Sequence, residues 1–288
     1  MIISTICGRF KRLHMEILKE KNKNSTNPKP PLKWAGGKRW LVSCLFPLWK
    51  RYKNSRLVEP FCGGLAVTLG LMPKEALLND SNEHLVNFFN RVKEGLLIDI
   101  PMENDEELYY QYREQFNKLL QDRKQETKRA AELFYYLNRT GYNGLCRFNQ
   151  KGLYNVPFGR YKKINYSYDF SPYKKIFGNW DFQARDFEEV ILEKSDFLYA
   201  DPPYDVEFTQ YSGNTFTWDD QVRLGKWLSS HQGPVVLSNQ ATERIIKLYS
   251  GLGFELNYLE GPRRISCTGE RTPAKEVLAV KGIDGNLV

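Results

Sequence analysis

The sequence predicts an α/β fold in which a mostly parallel sheet is interrupted by a basic helical block. Two observations carry this. Short strand-like apolar runs alternate with helical periodicity at both ends of the chain, over 56–93 and again over 197–280, the order that builds βαβ units. Between them, residues 103–138 are charged and helical in pattern, and residues 139–163 mix basic, aromatic, Gly and Asn side chains. With 288 residues, 41% apolar and 26% charged, the chain has enough apolar mass for a large core, which excludes wholesale disorder.

The elements follow in order. Residues 1–20 read as a basic helix with Phe10, Leu13, Ile17 and Leu18 on one side, and Lys21–Pro31 as a polar, Pro-rich linker. Arg56–Glu59 is a short buried strand, Pro60–Gly64 a turn, and Leu65–Leu71 a helix. Ala76–Leu78 is a second strand closed by Asn79 and Asp80. A helix over 82–93 follows, with Leu85, Val86, Phe89 and Val92 at helical spacing. The charge mixture over 103–138 suggests an exposed helical bundle, with Tyr109, Tyr112, Phe116 and Leu119 packing its seam. Gly141, Gly144, Gly152, Pro157 and Gly159 punctuate a hairpin-like segment. Phe197–Ala200 is a strand, Thr217 an N-cap for a helix to about Ser229, Pro234–Leu237 a strand, and Ala241–Tyr249 a helix. Phe254–Leu259 and Glu276–Val280 close the chain as strands.

Several classes are excluded. No apolar run approaches the roughly 20 residues of a membrane span. The brief apolar start precedes its charges instead of following them, so the chain reads as cytoplasmic, without a secretory leader. Cys7, Cys44, Cys62, Cys146 and Cys267 are odd in number and scattered, and His14, His84 and His231 lie apart from them, so neither a disulfide framework nor a metal centre is expected.

The net charge of +8 is unevenly spread. Residues 1–33 carry +6 and residues 139–163, with six Lys/Arg and no acid, another +6; the remainder sums to −4. Clustered positive charge interleaved with aromatics is the electrostatic signature of a polyanion partner able to stack bases.

Three motifs carry chemistry. Glu59–Gly64 (Glu-Pro-Phe-Cys-Gly-Gly) is a glycine turn after the first strand, with Asp80 seventeen positions after Gly63. Such a turn admits a nucleotide-like ligand to the backbone, and an acid at the end of the next strand accepts hydrogen bonds from ribose hydroxyls. Alone it is an ordinary βα turn with a solvated Asp. Asp201–Tyr204 (Asp-Pro-Pro-Tyr) ends an apolar strand. Two prolines fix φ and remove two donors, leaving carbonyls and a carboxylate, an acceptor-only pocket for an amino group, beside an aromatic ring that can stack on the base bearing it. The third motif is Leu32–Lys38 (Leu-Lys-Trp-Ala-Gly-Gly-Lys), by itself a turn with an exposed lysine.

Together these motifs resemble the Dam-type DNA adenine-N6 methyltransferases. The order K-W-x-G-G-K, E-P-F-x-G-G, N-D, N-R-x-G-Y-N-G-L-x-R, N-V-P-F-G-R-Y and D-P-P-Y runs from about Pro31 to Val280. The resemblance implies a Rossmann-like methyltransferase sheet with an inserted helical and hairpin target-recognition domain. It divides the chain into an extension (1–30), a donor-binding part (31–100), the recognition domain (101–165) and a second catalytic part (166–288). It implies S-adenosylmethionine as donor, S-adenosylhomocysteine as product and no metal. The partner it implies is double-stranded DNA; no obligate protein partner is evident.

Position by position, the resemblance puts Trp34, Lys38, Phe61 and Gly63 along the donor, Asp80 on its ribose, Asp186 and Phe187 at its adenine, and Asp201 at donor and target alike. Asp201 and Pro202 grip the target amine, with Pro203 completing the turn, and Tyr204 stacks on the extruded adenine. In the GATC-reading segment, Leu145, Arg147 and Pro157 read bases, Tyr142 and Asn143 wedge into the duplex, and Lys33 contacts the outer base pair. Arg160 and Tyr161 make backbone and hairpin contacts. Where many members carry a further glycine or small residue, this chain has Leu65.

The residues leave alternatives open. An acceptor pocket of this kind equally suits cytosine N4 or an adenine in RNA. A non-catalytic DNA-binding module of the same fold would be expected to lack Lys38, Asp80 or Asp201, all of which are present.

Overall fold

The computed structural model describes residues 28–205, 216–261 and 274–283. The helix expected over 1–20 and most of the linker that follows lie outside the described residues.

The first helix among the described residues, α1 (Val42–Arg51), buries Leu45, Leu48 and Trp49. Pro47 sits inside it, and a mid-helix proline ordinarily reads as a break, which hid this element in the sequence. Then come β1 (Leu57–Glu59), the short α2 (Thr68–Leu71), β2 (Ala76–Asn79) and α3 (Glu83–Glu94). Asn82 caps α3, its side-chain oxygen accepting from the amides of His84 and Leu85 at 3.1 and 3.2 Å, and Gly95 ends it in the left-handed region. The helix expected from Leu65 begins only at Thr68, because Leu65 has φ +62°.

α4 (Glu106–Gln121) and α5 (Lys128–Thr140) form the helical block. An exposed bundle is not what they make. Ten of the thirteen residues of α5 are buried, and its charges lie where they are tolerated: Lys128 is exposed and Arg129 half-buried at its start, while the buried Glu132 accepts the Asp99 amide at 2.9 Å and pairs with Lys128 at 3.3 Å. The seam of α4 (Tyr109, Tyr112, Phe116) packs against Phe134 and Tyr136 of α5.

Besides α1, two further elements went unforeseen, α6 (Ser171–Phe177) and β3 (Trp180–Gln183). β3 has only four residues, with Trp180 and Phe182 buried and Asp181 exposed, too short an alternation to stand out. β4 (Phe197–Ala200), α7 (Trp218–Ser230), β5 (Val235–Gln240), α8 (Glu243–Gly251), β6 (Glu255–Gly261) and β7 (Ala274–Lys281) complete the order.

The seven strands form one sheet in the order β3-β2-β1-β4-β5-β7-β6. β1 to β5 are parallel, and β7 runs antiparallel between β5 and β6. Alternate side chains feed two cores: Leu57, Phe197, Tyr199 and Val236 one face, Val58, Leu198, Ala200 and Leu237 the other. That is why these strands are apolar throughout. The order reverses direction between β1 and β4, a switch point whose carboxyl-end crevice is where ligands bind in such sheets. No helix among the described residues is long and apolar enough to cross a membrane.

Candidate functional site

The carboxyl ends of β1, β2 and β4 each deliver one motif to the crevice. β1 ends at Glu59 and opens into the glycine turn; β2 ends at Asn79 beside Asp80; β4 ends at Ala200, followed by Asp201–Tyr204. Asn79 staples neighbouring loops together: its amide group donates to the carbonyls of Pro60 and Arg185, both at 3.0 Å, and its oxygen accepts the Arg185 amide at 3.1 Å. One cavity of about 600 Å3 results. Trp34, Lys38, Phe61, Gly63, Asp80, Asp186, Phe187, Asp201, Pro202, Pro203 and Tyr204 all line it.

At one end, Trp34 packs against the glycine turn. A Cβ on Gly63, whose φ is +44°, would sit 2.8 Å from Trp34 Nε1, and one on Gly64 would sit 2.7 Å from Trp34 Cβ. Glycine is required at both positions for the turn and the indole to touch. Asp80 accepts the Gly63 amide on Oδ2 at 3.1 Å and the Asn82 amide on Oδ1 at 3.0 Å. A carboxylate has about four acceptor positions, so capacity for hydroxyl donors remains. Burial pushes its pKa up, against these two amides.

Phe61, Phe187 and Phe216 form an aromatic group, with centroids 5.6 Å (Phe61–Phe187), 5.5 Å (Phe61–Phe216) and 6.1 Å (Phe187–Phe216) apart. Arg223 lies over Phe187 at 4.5 Å and bonds Asp186 at 2.8 Å, Glu188 at 3.0 Å and Asp220 at 3.2 Å. Asp186 is therefore held by a guanidinium at the cavity rim.

At the other end, Asp201 Oδ1 accepts the Ser238 hydroxyl at 2.8 Å and faces Lys38 Nζ at 3.5 Å. Tyr199 and Ser238 hydroxyls are 3.1 Å apart beneath it. Burial pushes the Asp201 pKa up to about 6, opposed by Lys38 and Ser238. Glu59 is 2% exposed and bonded by the Thr68 hydroxyl at 2.5 Å; burial pushes it up to about 8, opposed by Thr68 and reinforced by the charge of Asp201. The Asp-Pro-Pro-Tyr turn is fixed from below: Gln221 donates to the Pro203 carbonyl at 2.8 Å, and Asn239 donates to Gln221 at 3.0 Å and to the Tyr249 hydroxyl at 2.8 Å.

The basic hairpin is a separate surface joined to this cavity. Isolated bridges Gly141–Phe158 and Phe148–Tyr154 close it. Tyr154 anchors it to α4, its amide and carbonyl both bonded by the Asn117 side chain at 2.8 and 3.1 Å. Tyr142 and Asn143 are exposed at a 3-10 turn, with Asn143 at φ +52°; the Tyr142 amide bonds the Pro157 carbonyl at 2.9 Å. Leu145 is half-buried, and its carbonyl accepts the Tyr154 hydroxyl at 3.1 Å. Exposed Arg147 crosses the hairpin to Asn155, bonding its side chain at 2.8 Å and its carbonyl at 3.2 Å.

Arg160 pairs with Glu106 at 2.8 Å, and the Tyr161 hydroxyl bonds the Gly141 carbonyl at 3.0 Å. Lys33 reaches across from the first motif. Its Nζ donates to the Arg139 carbonyl at 2.9 Å and lies 3.8 Å from the centre of the Tyr161 ring. Burial, with Arg139 adding, lowers the Lys33 pKa to about 8. Two links tie hairpin to cavity: Lys33 adjoins Trp34, and Asn82, next but one to Asp80, donates to Cys146 Sγ at 3.2 Å.

Sequence reasoning named Glu59 only as the first residue of the glycine-turn motif and gave it no role of its own, and it missed Phe216, Arg223, Ser238 and Glu276. Only Ser238 carried a signal: β5 turns from Val-Val-Leu to Ser-Asn-Gln while still a buried strand, and polar residues inside a buried strand need partners.

Comparison with known proteins gives a consistent result. Residues 34–265 match the family of D12 class N6 adenine-specific DNA methyltransferases. The chain is 36% identical over 271 residues to the DNA adenine methylase of Escherichia coli K12, covering 86% of this chain and 94% of that protein. It is 34% identical over 269 residues to the retron Ec67 DNA adenine methylase of Escherichia coli, covering 87% and 90%. With the type II methyltransferase M1.LlaDCHI of Lactococcus lactis subsp. cremoris it shares 35% identity over 261 residues, covering 84% and 90%.

Proposed function

Since the chain belongs to the D12 class of N6 adenine-specific DNA methyltransferases, we propose that it methylates adenine N6 at GATC in duplex DNA, with S-adenosylmethionine as donor and the target base extruded. The observation that carries this reading is the shared cavity: Asp80 and Asp201 line one space together with Trp34 and Lys38.

The cavity's residues fit that donor. An acid with acceptor capacity at a glycine turn suits a ribose, an aromatic group suits an adenine ring, and carboxylates suit a cationic sulfonium and ammonium. Trp34, Lys38, Phe61, Gly63 and Asp80 would hold it, with Asp186 and Phe187 at its base. When bound, it supplies an electrophilic methyl group on a sulfur that is already a good leaving group.

The protein's own task is the amine. The exocyclic nitrogen of adenine is a poor nucleophile because its lone pair is delocalised into the ring. Asp201 Oδ2 and the Pro202 carbonyl accept its two N–H groups, drawing the nitrogen toward a pyramidal form with its lone pair facing the cavity. Ser238 and Lys38 act on Oδ1, so the carboxylate is fixed before the base arrives. Above pH about 6 Asp201 is ionised and takes the proton that the methylated amine releases. Positioning of this kind is worth up to ~7–11 kcal/mol in favourable cases.

Reaching the amine requires extrusion, at a cost of a few kcal/mol. Exposed Tyr142 and Asn143 fill the gap, and Tyr204 receives the base. Arg147 reads guanine O6 and N7, worth ~1–3 kcal/mol of discrimination, after exchanging its bonds to Asn155; Leu145, Pro157 and Lys33 read neighbouring bases. Arg160 and Tyr161 brace the hairpin.

Expression of the protein in a host lacking GATC methylation tests this. Plasmid DNA becomes sensitive to a nuclease that cuts only methylated GATC, and Asp201→Ala abolishes that sensitivity with its melting profile retained. Absence of methyl transfer from labelled donor to any DNA overturns the reading.

A further inference from the structure

Glu276 is a carboxylate that the reaction scheme above leaves unused. It stands on β7, opposite Gln240 of β5, and is 8% exposed. A carboxylate so deep in a sheet is costly unless it is paired. Its partners are the Tyr204 hydroxyl, which donates to Oε2 at 2.7 Å, and Lys38 Nζ, 3.8 Å from the same oxygen. Both line the cavity. Lys38 stands between Glu276 and Asp201, 3.5 Å from the latter, and lies 4.2 Å from the centre of the Tyr204 ring.

We propose that Glu276 is a positioning residue for methyl transfer, fixing the ring plane of Tyr204 through its hydroxyl and holding Lys38 midway to Asp201. The inference rests on the reading of Tyr204 as the ring that receives the extruded adenine. A tyrosine ring turns about two side-chain torsions, and the proline turn that precedes it fixes the backbone only. The hydrogen bond at the far end of the ring supplies the remaining constraint. The link spans the sheet: an antiparallel strand late in the chain sets the orientation of a side chain at the end of β4.

The roles separate in a double-mutant cycle on the full-length protein with GATC duplex and donor, read as single-turnover rate at saturating concentrations. Glu276→Ala and Tyr204→Phe each lower that rate about tenfold, the scale of one hydrogen bond to a charged group. The double variant is no slower than Glu276→Ala, because both changes remove the same constraint. Glu276→Gln, whose amide oxygen still accepts from Tyr204, recovers most of the rate. With 2-aminopurine at the target position, Glu276→Ala and Tyr204→Phe alter the fluorescence of the extruded base alike, a change that general loosening of β7 does not produce. Should Glu276→Ala fail to fold, Glu276→Gln with and without Tyr204→Phe completes the comparison: the added Tyr204→Phe then slows the reaction about tenfold. Multiplicative losses, or a Tyr204→Phe enzyme at full rate, overturn the role of Glu276. Failure of the unaltered protein to methylate GATC in the same assay overturns the underlying reading instead.

Discussion

Glu59 and Asp201 are acidic side chains of one cavity whose surroundings act on them unequally. Asp201 has Lys38 and Ser238 to support its charge, whereas Glu59 has one hydroxyl and deep burial. With its pKa raised to about 8 from an ordinary 4.5, Glu59 keeps a proton in the folded state that the unfolded chain releases. Its contribution to stability is therefore full at low pH and is lost as pH climbs from about 4.5 toward 8. Glutamine mimics the protonated form and does not titrate. Glu59→Gln should gain on the wild type across this window by up to ~1.4 kcal/mol per pH unit, then run parallel above it. Urea unfolding at pH 5, 6, 7 and 8 reads the difference; a constant offset would mean that Glu59 is ionised in the fold. Glu59 opens a recognisable motif, but its burial was not legible there, because the hydroxyl that holds it comes from Thr68 of α2. Asp80 and Asp201 were legible because each ends a strand within a recognisable motif, and motif position is local information.

At the level of elements, strands β1, β2 and β4 and the Thr217 cap could be read directly, since apolar runs and capping residues are local signals. Thr217 forms the full capping box with Asp220. Elements fixed by distant packing were not legible: α1 persists through Pro47 because Leu45, Leu48 and Trp49 are buried, and α5 is central despite its charged flanks. Leu65 shows how the two kinds of information compete. It occupies a left-handed backbone position, φ +62°, that costs a non-glycine residue roughly 1–2 kcal/mol, yet it is fully buried. Removing a buried leucine side chain costs roughly 2–5 kcal/mol, so burial outweighs the backbone term. Leu65→Gly should thus destabilise the protein by about 1–3 kcal/mol in chemical denaturation. A neutral or stabilised variant would show that the turn is the dominant constraint.

For the molecule as a whole, the uneven charge sets how DNA is met. Lys151, Lys162 and Lys163 are exposed on or beside the hairpin, and the proposed reading gives them phosphates to neutralise and no base to read. Replacing Lys162 and Lys163 with alanine should weaken binding to GATC and non-GATC duplexes by the same factor. The dependence of log affinity on log salt should flatten by ~0.9 for each phosphate that is no longer neutralised. Binding isotherms at several salt concentrations, on both duplexes, decide it; a selective loss on GATC would make these lysines readers of sequence. The hairpin itself is not self-contained. Lys33 is locked to it through Arg139 and Tyr161, while the adjoining Trp34 is pressed onto the glycine turn, so one peptide bond joins the hairpin to the cavity wall. A chimera that transplants residues 101–165 alone onto a relative would inherit the host's residue at position 33. On the proposed reading, retargeting this scaffold to a new sequence therefore requires exchanging at least two separated segments, and the second of them cannot be altered freely without disturbing a wall of the proposed donor site.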